Sequence, residues 1–102
     1  MAVEKSTEET LVLAGTREIW LDKCRQALRE GGFSKIDVSP SLFQLQGAYK
    51  KVVVYGEILI TLMPEGENTK IHIKATANMD NVFALFKSPT RAIITAFKNG
   101  IK

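Results

Sequence analysis

The stretch Glu57-Ile-Leu-Ile-Thr-Leu-Met63, Pro64-Glu-Gly-Glu-Asn68, Thr69-Lys-Ile-His-Ile-Lys-Ala-Thr-Ala77 decides the fold. Its last nine residues alternate strictly. Thr69, Ile71, Ile73, Ala75 and Ala77 fall on one face and Lys70, His72, Lys74 and Thr76 on the other, the period of a strand with one buried side. The loop before it holds proline, glycine and asparagine between two apolar runs, which is hairpin chemistry. The first arm is different, because it is apolar in both phases. Val52, Val54, Ile58, Ile60 and Leu62 lie on one side, and Val53, Tyr55, Leu59 and Met63 on the other. Segment 48–56 admits two readings: a hairpin whose tip is Lys50-Lys51, or part of one long strand bent at Gly56, since an interior glycine marks a bend or bulge.

Working outward toward the N-terminus, Thr10-Leu-Val-Leu-Ala14 is β-prone and stops at Gly15. Thr16 has the hydroxyl to cap a helix, with Glu18 near the positive end of its dipole. From Arg17 to Glu30 the period is helical: Trp20, Leu21, Cys24, Ala27 and Leu28 share one arc, and Glu18, Asp22, Arg25, Gln26 and Arg29 the opposite one. Gly31-Gly32 ends the helix. Phe33–Val38 and Leu42–Gly47 read as two strands around the turn Ser39-Pro40-Ser41. Toward the C-terminus a helix starts at Asp80 or Asn81 and runs through Phe86. Ser88-Pro89 kinks or restarts it, because proline suits a first helical position. Ile93, Ile94, Phe97 and Ile101 form its apolar stripe beside Arg91, Lys98 and Lys102.

The expected architecture is therefore a two-layer α+β domain: about five antiparallel strands with two helices on one face, in the order β-α-β-β-β-β-α. The chain has 102 residues, which suits one domain; residues 1–9 are expected to be a tail and 10–102 the domain. With 45% hydrophobic and 25% charged residues, the composition excludes a disordered tail, a collagen and a coiled coil.

The element order resembles the TATA-binding-protein-like fold and, less closely, the shortened helix-grip (Bet v 1-like) domains. The pattern Tyr55-Gly56-Glu57-x-Leu59-x-x-Leu62-x-Pro64-x-Gly66-x-x-Thr69-x-Ile71-x-Ile73, followed by an aromatic-containing helix from Asn81, is similar to small bacterial proteins. The likeness brings no catalytic residue with it, and a fold does not fix a function.

Residues 1–80 hold 10 basic and 11 acidic side chains, whereas 81–102 hold Lys87, Arg91, Lys98 and Lys102 with no acid. The start of the chain is acidic and no apolar run approaches the roughly 20 residues of a membrane span, so a cytoplasmic location is expected. The single Cys24 agrees with a reducing compartment. Catalysis is not expected. Cys24 sits on an apolar helical arc, where a thiol stays protonated. His72 lies on an outward strand face, and with one cysteine and one histidine no zinc set can be assembled. No phosphate-loop spacing occurs, and no cofactor is implied. Nucleic acid is unlikely too, since Lys70, Lys74 and Lys51, opposed by Glu57, offer few phosphate contacts.

What stands out is the arm apolar in both phases. If helices cover one face, the other calls for a second cover: another copy of the chain, a partner or membrane surface, or a hydrophobic ligand between sheet and C-terminal helix. Simple burial of both phases is the bland alternative. The leading expectation is a non-catalytic binding module for an apolar or amphiphilic, lipid-like molecule. Leu59, Met63, Phe83, Phe86 and Phe97 are its expected lining, and Lys70, His72, Lys74 and Arg91 its charged anchors or partner face. The rival is a protein-interaction or self-association domain using the sheet face around Lys70, His72 and Lys74. Contact of the basic C-terminal helix with a membrane surface is not favoured, because four charges attract only modestly.

Overall fold

The hairpin from Glu57 to Ala77 forms the middle of the sheet. The structure, a computed structural model, describes residues 4–51, 54–78 and 89–101. Along the chain lie β1 (Glu4–Ala14), α1 (Arg17–Glu30), β2 (Ser34–Ser39), β3 (Gln44–Lys51), β4 (Val54–Glu65), β5 (Asn68–Asn78) and α2 (Pro89–Asn99). The strands form one antiparallel sheet in the order β1-β5-β4-β3-β2, and both helices pack on the same face. This is the α+β architecture expected from the alternation of periods.

The alternation of β5 is as read: Thr69, Ile71, Ile73, Ala75 and Ala77 are each at most 1% exposed. Opposite them in register stand Leu62, Ile60 and Ile58 of β4, all at most 1% exposed. From above, α1 inserts Trp20, Cys24, Ala27 and Leu28, and α2 inserts Ile93, Ile94 and Phe97. Burying a side chain of this size contributes about 1.5–3 kcal/mol, so this shared core outweighs any single polar contact. Polar inward atoms are matched as well. The Thr69 hydroxyl donates to the Gly15 carbonyl at 2.8 Å, and the Trp20 indole N–H donates to the Ala14 carbonyl at 2.8 Å. Both fix the turn at Gly15, whose φ of +117° suits glycine.

Thr16 caps α1 by accepting from the Ile19 amide, and Pro89 opens α2, as its fixed φ and missing N–H favour. The expected helix over 80–86, and with it the choice between a kink and a restart at Ser88-Pro89, lies outside the described residues. At segment 48–56 the hairpin reading holds, but Lys50 and Lys51 belong to β3 and not to its tip: β3 continues to Lys51, which pairs with Val54. Val52 and Val53 lie outside the described residues.

The N-terminal boundary differs from expectation. Residues 4–9 belong to β1, not to a tail, and Glu4 pairs with Asn78 at the far end of β5. Their inward phase is polar, which hides a strand from hydropathy. The helix above supplies the partners: Thr7 Oγ1 meets Thr90 Oγ1 at 2.6 Å, and Lys98 Nζ donates to Glu9. An edge strand bridged by polar pairs can extend beyond the apolar core.

Burial pushes the Cys24 thiol up to about 12 by disfavouring the thiolate. In the native protein at pH 8 alkylation of Cys24 is therefore expected to be limited by unfolding, with prompt reaction only in denaturant. Alkylation at the rate of a free thiol, followed by mass spectrometry, would contradict the buried placement.

Candidate functional site

The second phase of β4 does not need a continuous apolar cover. Tyr55, Leu59 and Met63 do lie opposite Ile58, Ile60 and Leu62. Their neighbours in register, however, are polar: Leu59 stands between Gln46 and Lys74, and Met63 beside Lys70. Between these rows Thr61 stands between Gln44 and His72. The outer face is thus a mixed surface on which Leu59 is half-buried and Tyr55 and Met63 are exposed. Lysine stems can cover apolar patches while their ammonium groups stay in water, so no second layer is demanded.

The expected lining is not brought together. Leu59 and Met63 occupy the outer face, while Phe97 is fully buried between α2 and the inner face; Phe83 and Phe86 lie outside the described residues. Of the charged set, Lys70, His72 and Lys74 stand at alternate positions along the outer face of β5. Arg91 is exposed on α2, in the other layer.

The outer face carries a depression of about 270 Å³, lined by Lys35, Gln46, Gly47, Ala48, Glu57, Ile58, Leu59, Lys74 and Thr76. Its floor is low because β3 presents the small side chain of Ala48 there, beside the backbone of Gly47. Its rim is set by two register rows, Gln46–Leu59–Lys74 and Ala48–Glu57–Thr76, and by the start of β2.

Lys35 reaches this rim through a backbone irregularity. Between Ser34↔Ala48 and Asp37↔Gln46 the β2 strand carries one residue more than β3, which is a β-bulge, and Lys35 sits in it at φ +51°. Left-handed backbone is costly for a side-chain-bearing residue, and bulges are used to re-aim a side chain. Here the bulge leaves Ser34 and Lys35 both exposed and returns Ile36 and Val38 to the inward phase.

Electrostatically the site is uncommitted. Glu8 lies directly across from Lys74 but turns to His72, with Oε1 2.8 Å from Nε2; the other ring nitrogen of His72 lies 3.3 Å from the Thr10 hydroxyl. Among the described residues neither Lys35 nor Lys74 has a carboxylate within salt-bridge distance, and Glu57 on the same rim pairs with neither. Two ammonium groups, one carboxylate, an amide and a hydroxyl thus surround one leucine.

Four of these residues, Lys35, Gln46, Glu57 and Thr76, are not among the site residues expected from the sequence. A signal for Lys35 exists in Phe33-Ser-Lys-Ile36: two consecutive polar residues between inward apolar ones break a period of two by one residue, as a bulge does. Among the described residues no group of three His, Cys, Asp or Glu side chains could hold a metal. No described helix is long and apolar enough to cross a membrane.

The order of elements and the placing of both helices on one sheet face define a helix-grip, Bet v 1-like fold. Solved structures of similar fold bear this out. Norcoclaurine synthase from Thalictrum flavum aligns with a TM-score of 0.67 and 12% identity, covering 98% of this chain and 85% of its own. An aromatase/cyclase from a Streptomyces species aligns at 0.63 and 8%, covering 96% and 87%. A protein from Thermus thermophilus aligns at 0.53 and 12%, covering 97% and 94%. No family model matches the chain, and no curated protein matches it in sequence. At these identities the likeness is one of fold, and it selects the helix-grip arrangement of the two topologies that the element order resembles.

Proposed function

We propose that the protein is a non-catalytic binding module for a small amphiphilic molecule, whose anionic head is held by Lys35 and Lys74 and whose apolar part rests on Leu59. The observation that carries this reading is the convergence of two unpaired ammonium groups on a depression that a strained bulge helps to build. Its volume of about 270 Å³ lies just below the range of ligand pockets, roughly 300–1,000 Å³, so the ligand is small or only partly covered. Support from the fold is general. Norcoclaurine synthase has been solved with dopamine and hydroxybenzaldehyde, so a chain folded this way can hold small organic molecules. Binding is favoured over catalysis by position: Cys24 is sealed in the core and His72 lies on the opposite side of the sheet. That separation precludes a nucleophile–base pair of Cys24 with His72.

Titration with decanoate, followed by chemical shifts or calorimetry, tests the reading. Decanoate is expected to bind more tightly than decanol or acetate. Lys74→Glu removes a charge-assisted contact and adds repulsion, and is expected to weaken decanoate about tenfold or more. Equal affinity for decanol, or an unaffected K74E variant, would refute the head-anchor role.

A second reading, self-association through the same face, is favoured by the row Val12–Lys70–Met63, in which Val12 is 50% and Met63 38% exposed. Such a dimer would cover the depression, so decanoate would dissociate it. A monomer at high concentration by sedimentation would dismiss it.

A further inference from the structure

We infer that the groove between α1 and the edge strand β2 binds a short extended peptide segment in which an apolar side chain is flanked by carboxylates two residues away on either side. The groove, of about 260 Å³, is lined by Arg25, Arg29, Ile36 and Val38. It lies on the helix side of the sheet, away from the outer depression, and does not depend on the amphiphile reading.

Three features define what fits. First, β2 is the last strand of the sheet, so one of its edges offers backbone donors and acceptors to an added strand. Second, Ile36 and Val38 are half-buried and point inward, giving an apolar floor next to that edge. Third, Arg25 and Arg29 stand four residues apart on one helix, where like charges repel mildly. One Arg25 nitrogen donates to Asp22 at 2.8 Å, which leaves its other donors available. Arg29 has no carboxylate partner among the described residues. A guanidinium pair above an apolar floor is complementary to an acid, and the planar donor fork suits carboxylates in particular.

The geometry also chooses among occupants. A second copy of the chain adding its own β2 edge would bring four arginines together around the two-fold axis. The bulge at Lys35 interrupts the regular ladder and leaves Asp37–Ser39 as the evenly paired part of β2. The backbone therefore offers only a brief run of hydrogen bonds, and side-chain capture has to provide most of the affinity. One apolar side chain on Ile36 and Val38, with carboxylates two residues away on either side, matches the inward spacing of a strand.

The test uses the full-length, isotope-labelled protein and the end-blocked peptide Glu-Thr-Val-Thr-Glu, against the same peptide with lysine in place of glutamate. The acidic peptide is expected to shift the amides of Ile36–Ser39 and the side-chain signals of Arg25 and Arg29, with affinity falling as salt is raised. Arg29→Glu is expected to weaken it about tenfold or more, and Arg25→Gln by less, while Lys50→Gln, a charge change elsewhere, leaves it unaltered. Equal binding of the lysine peptide, an unaffected R29E, or shifts confined to the outer face would overturn the proposal. Two further results would do the same: concentration-dependent broadening of β2 signals without peptide, which would make the occupant a second copy, and perturbation of the groove by decanoate but not by peptide.

Discussion

Phe97→Ala is expected to cost about 3–5 kcal/mol of folding stability, the range for truncating a fully buried aromatic side chain. Phe97 is 0% exposed and sits where α2 meets β4 and β5, so its loss opens a cavity that neighbouring isoleucines cannot collapse into without moving a helix. A domain of this size has about 5–15 kcal/mol in total, and each kcal/mol shifts Tm by about 4–8 °C; the variant is expected to be barely folded at 37 °C. Urea unfolding monitored by circular dichroism measures it. The same variant separates two roles for this residue. A side chain lining a ligand space would be lost at a cost below about 1 kcal/mol, because no packed contacts would be removed, and decanoate binding would change. A core side chain costs several times more and leaves the outer site intact whenever the protein is folded.

Gly56→Val is expected to be comparably damaging, although β-propensity alone argues the reverse. Glycine inside a strand weakens it by about 0.5–1 kcal/mol relative to alanine, and valine is a strong strand former. The surroundings decide otherwise. A Cβ at Gly56 would press into the Thr76 carbonyl oxygen and stand 2.7 Å from Ile93 Cδ1 and 3.1 Å from Ala77 Cα. Ile93 can yield, but the β5 backbone is held in register by the ladder at Gly56↔Ala77 and Glu57↔Thr76. Overpacking costs about 1–3 kcal/mol where neighbours can shift and more where backbone is struck, so sterics exceed propensity. Alanine at this position is expected to lose less than valine, and a valine variant more stable than wild type by thermal unfolding would contradict the close packing of α2 on β4.

The parts of the fold governed by periodicity were legible in the sequence. Strict alternation from Thr69 to Ala77 and the arc Trp20–Cys24–Leu28 each bury one face, and both are in the core as read. What stayed hidden were features whose causes lie elsewhere in the chain. Glu4–Glu9 looks like a solvated tail until Thr90 and Lys98, more than eighty positions away, are found beside Thr7 and Glu9. Likewise the outward face of Lys70, His72 and Lys74 reads from sequence without Glu8, which lies 2.8 Å from His72, because a residue assigned to a tail has no place on a sheet.

The candidate site shows the same division. Alternation put Leu59 and Met63 outward with Lys70 and Lys74, and a helix packed on the inward face necessarily put Phe97 on the other side. Grouping the three as one lining combined opposite faces of one sheet. Leu59 and Lys74 do meet at the depression. Lys35 joins them only because a one-residue bulge rotates it outward, and bulge position follows from pairing with β3, which local sequence hints at but does not determine.

The central claim, that the back of the sheet and not the space under α2 receives the ligand, is tested most directly by mapping decanoate-induced chemical shifts onto the folded protein. The account predicts the largest changes at Lys35, Gln46, Leu59, Lys74 and Thr76, with the methyl signals of Ile60, Ile73 and Ile93 unmoved. Changes concentrated on those three isoleucines and Phe97, with the outer residues silent, would contradict it.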